Sequence, residues 1–186
     1  YGDEKTIEPM AFQHYFVRDR CQPTVTGFSF EGMDSARPSD KFLAALKSKN
    51  LGSILICPSN PFVSVDPVLK LPGILEAMKK SPAPVIAVSP IVGGQAIKGP
   101  AAKMMAELGM PASALAVAKH YQGRIDGFVI DEADADLKEE IQGLGIPTIV
   151  TNKSKITANG ILVMAFSEKN AVVGGRLCLV DKANLL

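Results

Sequence analysis

The stretch Val85-Ile86-Ala87-Val88-Ser89, continued by Pro90-Ile91-Val92-Gly93-Gly94-Gln95-Ala96-Ile97-Lys98-Gly99-Pro100 and then by Ala101 to Gly109, sets the reading of the whole chain. A short uninterrupted run of β-branched and small apolar residues fits a strand covered on both faces, and such strands belong to parallel sheets. A glycine-rich loop follows. Pro100 suits the first turn of a helix whose Ala101, Met104, Met105 and Leu108 form one apolar stripe, closed by Gly109. Strand, loop and helix in this order are the repeating unit of an α/β fold.

The unit recurs on both sides. Upstream, Ser39 or Asp40 suits the cap of a helix through Phe42, Leu43, Leu46 and Lys49, and the strand run Ser53-Ile54-Leu55-Ile56-Cys57 follows. Pro58-Ser59-Asn60-Pro61 ends that strand, because proline cannot donate to a ladder. Gly73 to Lys80 reads as a short helix with Ile74, Leu75 and Met78 on one face. Downstream, Pro111 and Ser113 open a helix to about Tyr121, Asp126 to Ile130 form a third strand, 133–143 a helix, and Pro147 to Thr151 a fourth strand. Right-handed crossovers then give a Rossmann-like α/β domain: a mostly parallel sheet with helices on both faces. The ends read differently. Phe12 to Arg18 fits helix or strand, and Thr24 to Phe30 alternates like a strand. Beyond Asn152, Asn159-Gly160 followed by Ile161 to Phe166, and Val172 to Val180 interrupted by Gly174-Gly175, has the syntax of a β-hairpin.

At 186 residues the chain has room for about one domain. Its 47% apolar and 21% charged residues belong to an ordinary soluble globular protein. Twenty basic against nineteen acidic residues leave +1, which is no field for a polyanion, so nucleic-acid binding is not expected. No apolar run approaches the ~18 residues of a membrane span. Cys21, Cys57 and Cys178 have neither paired nor C-x-x-C spacing, which argues against a disulfide framework and fits a reducing cytoplasm. The first residue is Tyr1, so the lack of a signal segment carries little weight.

In an open parallel sheet, ligands sit beyond the carboxyl ends of the strands. Four polar segments should crowd that rim: Pro58 to Pro61, Ser89 to Lys98, Asp131 to Asp134, and Thr151-Asn152. Gly93, Gly94 and Gly99 supply adaptable amides, Lys98 a positive charge, and the following helix an amino-terminus, a combination suited to phosphate. The same glycines equally serve to turn the chain. Ser59, Asn60 and Ser64 suit a ribose or phosphate, or the cap of the next helix. Lys103 reaches the same anion or only water. Asp131, Glu132, Asp134 and Asp136 suit a hard cation, or simply the positive end of a helix. The letters Asp-Glu-Ala-Asp suggest a helicase, but no G-x-x-x-x-G-K-[ST] precedes them. A G-x-G-x-x-G fingerprint and a G-x-S-x-G elbow are also missing. His14 and His120 stand alone and read as surface or packing residues.

Cys57-Pro58-Ser59-Asn60-Pro61, Leu71-Pro72-Gly73-Ile74, Ala87-Val88-Ser89-Pro90-Ile91-Val92-Gly93-Gly94, Ile97-Lys98-Gly99-Pro100 and Gly127-Phe128-Val129-Ile130-Asp131 occur in the order and spacing of one family. With Phe12-Gln13 to Arg20 and Phe30-Glu31-Gly32 through Pro38, the chain resembles, over roughly residues 10–151, the 2-phospho-L-lactate (phosphoenolpyruvate) transferases of coenzyme F-420 biosynthesis. The resemblance implies Mg2+-dependent transfer of a phosphoenolpyruvyl or 2-phospholactyl group from a guanosine diphosphate-linked donor to the hydroxyl of 7,8-didemethyl-8-hydroxy-5-deazariboflavin, releasing GMP. It further implies that Ser59, Asn60 and Ser64 seat the donor nucleotide, that Gly93, Gly94 and Lys98 face the phosphates or the deazaflavin, that Ser89 is among the substrate-binding residues, and that Asp131 lines the same crevice. Homodimerisation is an option. Family members open with a strand, a glycine-rich phosphate loop and an acidic metal motif, none of which precedes Tyr1. Residues 1–151 are therefore expected to form the carboxy-terminal portion of an incomplete domain, and 152–186 an atypical tail. A regulatory, non-catalytic UDP-sugar-binding protein of the related gluconeogenesis-factor family is the rival reading, and an inactive fragment a third.

Overall fold

The computed structural model describes residues 9–97 and 99–152, together with the backbone of 177–181. Its sheet has the order β6-β5-β2-β1-β7, built from β1 (Leu51–Ile56), β2 (Val85–Val88), β5 (Gly127–Asp131), β6 (Thr148–Thr151) and β7 (Leu177–Asp181). The first four named pair in parallel, with Ile54 opposite Val85, Ala87 opposite Phe128, and Phe128 opposite Thr148. This is the mostly parallel α/β architecture that the repeating units imply. Strand β7 runs antiparallel along β1, with Ile54 opposite Leu179. The rest of the hairpin expected over 159–180 lies outside the described residues.

The helices are α1 (Asp40–Leu46), α2 (Asp66–Leu69), α3 (Ile74–Lys80), α4 (Ala101–Glu107), α5 (Ala114–Tyr121) and α6 (Lys138–Gly143). Their ends follow the local chemistry. Ser39 caps α1 by accepting from the Phe42 N–H at 3.2 Å, and Ser113 caps α5 by accepting from Ala116 N–H at 3.1 Å. Gly109 follows α4 at φ +72°, a left-handed conformation that favours glycine.

Alternation along the strands divides the apolar residues into two sets. Ile54, Ile56, Val85, Ala87, Phe128 and Ile130 point to one face, where they meet Leu46, Ile74, Met104, Met105, Val117 and Ile141 from the helices. The methionine pair is fully buried there. Leu55, Cys57 and Val88 point to the other face, with Ile86 and Val129 packed beside them. Among the described residues, helix side chains join only the larger cluster. No described helix is long and apolar enough to cross a membrane.

Two segments depart from the sequence expectation. Among the described residues Thr24 to Phe30 pairs with no strand; its Val25 N–H is taken by the Glu107 carboxylate at 3.0 Å, and Phe28 stacks on Phe62. Residues 133–143 are not one helix. A 3-10 segment (Glu132–Leu137) precedes α6, with Asp134 off helical geometry at φ −114°, ψ 19°. Phe12 to Arg18, open between helix and strand in the sequence, is helical, with a single π-helical turn over residues 14–18.

Candidate functional site

Because β1, β2, β5 and β6 are parallel, the segments that follow them share one rim of the sheet. After β1, the Asn60 side chain is held at both ends. Its Oδ1 accepts from the Phe62 and Val63 N–H groups at 3.0 and 3.4 Å, and its Nδ2 lies 3.0 Å from Met104 Sδ. It thereby caps the π-helical turn Pro61–Val65 and anchors it to α4. Ser59 is buried beside it, while Ser64, on that turn, is half-buried.

After β2, the glycine-rich stretch forms a small antiparallel hairpin, β3 (Ile91–Val92) and β4 (Gln95–Ala96). Gly93 and Gly94 are its two-residue loop, with φ of +53° and +78°. Two positive φ angles in a two-residue loop define the type I′ turn, whose twist matches the flanking strands. Ser89 supports the base of this hairpin from a fully buried position: its Oγ donates to the Ile91 carbonyl at 2.8 Å and accepts from the Ile91 N–H at 3.1 Å. The tip meets the next loop, where the Gly93 N–H donates to Asp134 Oδ1 at 3.0 Å. Lys98 lies outside the described residues.

After β5, the half-buried Asp131 accepts from the Ala133 N–H at 3.0 Å and starts the 3-10 segment. Asn152, just past β6, donates to Glu132 Oε2 at 3.3 Å. The structure thus joins Gly93 and Gly94, the Asp131 loop and Asn152 in one connected rim. Asn60 and Ser64 stand on the neighbouring segment, and Ser89 lies beneath the rim. Among the described residues, no group of three or more His, Cys, Asp or Glu side chains is placed to hold a metal ion.

Two arrangements escaped sequence reading. Lys103 serves the protein: its Nζ donates to the Pro23 carbonyl at 2.9 Å, pairs with Glu107, and lies 5.6 Å from the Tyr15 ring centroid. Burial opposes both charges, but the hydrogen bond and attraction between them prevail, so Glu107 is held below its ordinary value and Lys103 above. The i, i+4 spacing of Lys103 and Glu107 was the available signal; their contact with residues 23–25 was not. His120, in turn, is not alone. Its Nε2 lies 3.0 Å from Oδ1 of the buried Asp66, which Arg124 approaches at 3.6 Å. Nothing local links positions 66 and 120.

A cleft of about 290 Å³ lies elsewhere, at the edge where β2 and β5 begin, lined by Met78, Lys79, Ser81, Val85, Arg124 and Asp126 among others. The helices α3 and α5 end beside it, and it lies at the amino ends of the strands, whereas ligands of an open parallel sheet sit beyond the carboxyl ends. The opposite rim, with its capped turns and hairpin, remains the better candidate.

The family profile described as 2-phospho-L-lactate transferase CofD matches residues 3–166, nearly the whole described region. The chain belongs to this family. The 2-phospho-L-lactate transferase of Methanosarcina mazei is 39% identical over 164 residues, covering 84% of this chain and 52% of that protein. The phosphoenolpyruvate transferase of Streptomyces griseus is 38% identical over 146 residues, covering 78% and 44%. That of Thermobifida fusca is 40% identical over 136 residues, covering 73% and 41%. The chain spans about half the length of the curated relatives it matches. Every rim segment described above falls within the matched residues.

Proposed function

We propose that this chain supplies one wall of the nucleotide site of a 2-phospho-L-lactate or phosphoenolpyruvate transferase in coenzyme F-420 biosynthesis. The observation that carries this reading is the match over residues 3–166, which takes in each of the four strand-end segments. The related transferases carry two names that differ in the three-carbon acid, and both acids fit the proposal.

The donor is a guanosine diphosphate-linked three-carbon acid and the acceptor a deazariboflavin. The acceptor hydroxyl oxygen bonds to the phosphorus bearing the acid, the bond from that phosphorus to GMP breaks, and the hydroxyl proton passes to solvent. Such a transfer needs mainly positioning and neutralisation of charge. In this proposal Ser59 and Ser64 serve the donor nucleotide, Asn60 shapes the turn that carries Ser64, Gly93 and Gly94 form the wall facing the phosphates, and Ser89, which the sequence placed at the substrate, instead holds that wall from its fully buried position beneath it. Lys98 adds positive charge, and Asp131 lines the crevice. The described carboxylates do not by themselves make a metal site. Mg2+ would enter chiefly on the donor's phosphates, as this cation commonly does.

Calorimetric titration of the chain with GDP and Mg2+, beside UDP-N-acetylglucosamine and Mg2+, tests the reading. Preferential GDP binding is expected. A preference for the UDP-sugar, or no GDP binding by a chain shown folded by circular dichroism, overturns it for this chain.

A further inference from the structure

The β3–β4 hairpin has only two residue pairs, Ile91 with Ala96 and Val92 with Gln95. A ladder that short does not hold its own orientation in water. Its pose must come from anchors, and the structure supplies one at each end. At the base, Ser89 brackets Ile91, and the Ile97 N–H donates to the Pro90 carbonyl at 3.0 Å. At the tip, the Gly93 N–H reaches Asp134, a residue only 4% exposed.

A polar side chain buried this far is costly unless donors meet it, and the Gly93 N–H is such a donor. The loop after β5 bends to make that contact. Asp134 leaves helical geometry, and the chain runs as a 3-10 segment before α6 begins. The tip is also close to its neighbours: a Cβ on Gly93 would lie 3.9 Å from Ala133 Cβ, and one on Gly94 3.7 Å from the Ala112 carbonyl oxygen.

We infer that Asp134 is a positioning residue, whose carboxylate oxygen latches the Gly93-Gly94 tip to the β5 loop and thereby sets the wall that a donor phosphate meets. The latch is a claim about the fold; its effect on the donor rests on the transferase reading above. The part of Asp134 in the latch is to accept the Gly93 N–H, which the amide oxygen of asparagine also does and alanine does not.

The test uses the full chain with Asp134→Asn and Asp134→Ala, reading Gly93 amide exchange by NMR and GDP affinity by calorimetry with Mg2+. Asp134→Ala should speed Gly93 exchange and weaken GDP each by about tenfold or more, a change of about 1.4 kcal/mol. Asp134→Asn should leave both within about threefold, or about 0.7 kcal/mol. Unchanged Gly93 exchange in the alanine variant overturns the latch. Loss of GDP affinity in the asparagine variant with Gly93 still protected overturns the acceptor role and points to charge. If the wild-type chain binds no GDP, the transferase reading fails together with the effect on the donor, while Gly93 exchange still decides the latch. Should the alanine variant not fold, an acid titration of the unaltered chain replaces it: the Gly93 amide proton shift must follow the Asp134 carboxyl carbon, and independent titrations refute the contact.

Discussion

The Asn60 side chain bonds to the Phe62 and Val63 N–H groups and contacts Met104, so its amide is occupied before any ligand arrives. Loss of an N-cap of this kind costs about 1 kcal/mol. A residue that only seated the donor would leave folding nearly unchanged when replaced by alanine; the capping bonds mean that Asn60→Ala lowers the urea midpoint as well. Asn60→Asp keeps the acceptor and should recover most of that stability. If Asn60→Ala unfolds at the wild-type midpoint, the cap contributes nothing. The Lys103–Glu107 pair gives a second residue-scale expectation. Glu107 is depressed below its ordinary value of 4.5, since the bond and attraction from Lys103 and the Val25 N–H together outweigh burial. A depressed carboxyl stabilises fully above its unfolded value and loses that contribution as pH falls through the folded one. Residues 23–25 should therefore loosen from α4 only below about pH 4.5, as read by amide exchange at Val25, and Glu107→Gln should show the looser behaviour at neutral pH.

Among the elements, the β3–β4 hairpin shows how far a motif can be read. Gly93-Gly94 announces backbone freedom, and phosphate loops and tight turns use that freedom alike. What distinguishes them is the partner of the Gly93 N–H, and that partner lies 41 residues away in the sequence. The conformation itself makes a sharp demand. Asparagine tolerates the left-handed region and is favoured at the first position of a type I′ turn, whereas a β-branched residue is not. Gly93→Asn should thus cost less than about 0.5 kcal/mol in chemical denaturation, and Gly93→Val on the order of 1–3 kcal/mol. Equal costs would mean that the turn is not type I′. The four parallel strands and the helices α1, α3, α4 and α5 were legible because each is a local pattern with a local stop: Ser39, Gly73, Gly109 and Ser113 all stand at the ends they suggest. Thr24 to Phe30 was misleading for the converse reason. Alternation needs a neighbouring strand, and here Glu107, Phe62 and Lys70, each remote in sequence, engage Val25, Phe28 and Phe30 instead. The 3-10 segment at Glu132–Leu137 was hidden likewise, because acidic residues in a first turn look helical until one of them turns inward.

Across the whole molecule, the second face of the sheet carries a stripe that changes character toward one edge. Val88, Val129 and Ile149 lie side by side in register, and exposure rises from 4% at Val88 to 64% at Ile149 on the edge strand β6. An apolar side chain on an edge strand invites pairing with another copy, through both the side chain and the backbone groups beside it. A second exposed apolar group, Phe16 and Val17 on the amino-terminal π-helical turn with Phe12 just before it, competes for the same role. The two make different predictions. If β6 is the sticky edge, Ile149→Lys should lower concentration-dependent association in sedimentation equilibrium, because a lysine there resists edge pairing. Its unfolding free energy should shift by no more than about 0.5 kcal/mol, since so exposed a side chain has little packing to lose. Phe16→Ser should then leave association as it was. The opposite pattern, with association removed by Phe16→Ser and untouched by Ile149→Lys, would move the contact to the amino-terminal turn and show that the exposed end of the stripe is harmless in water.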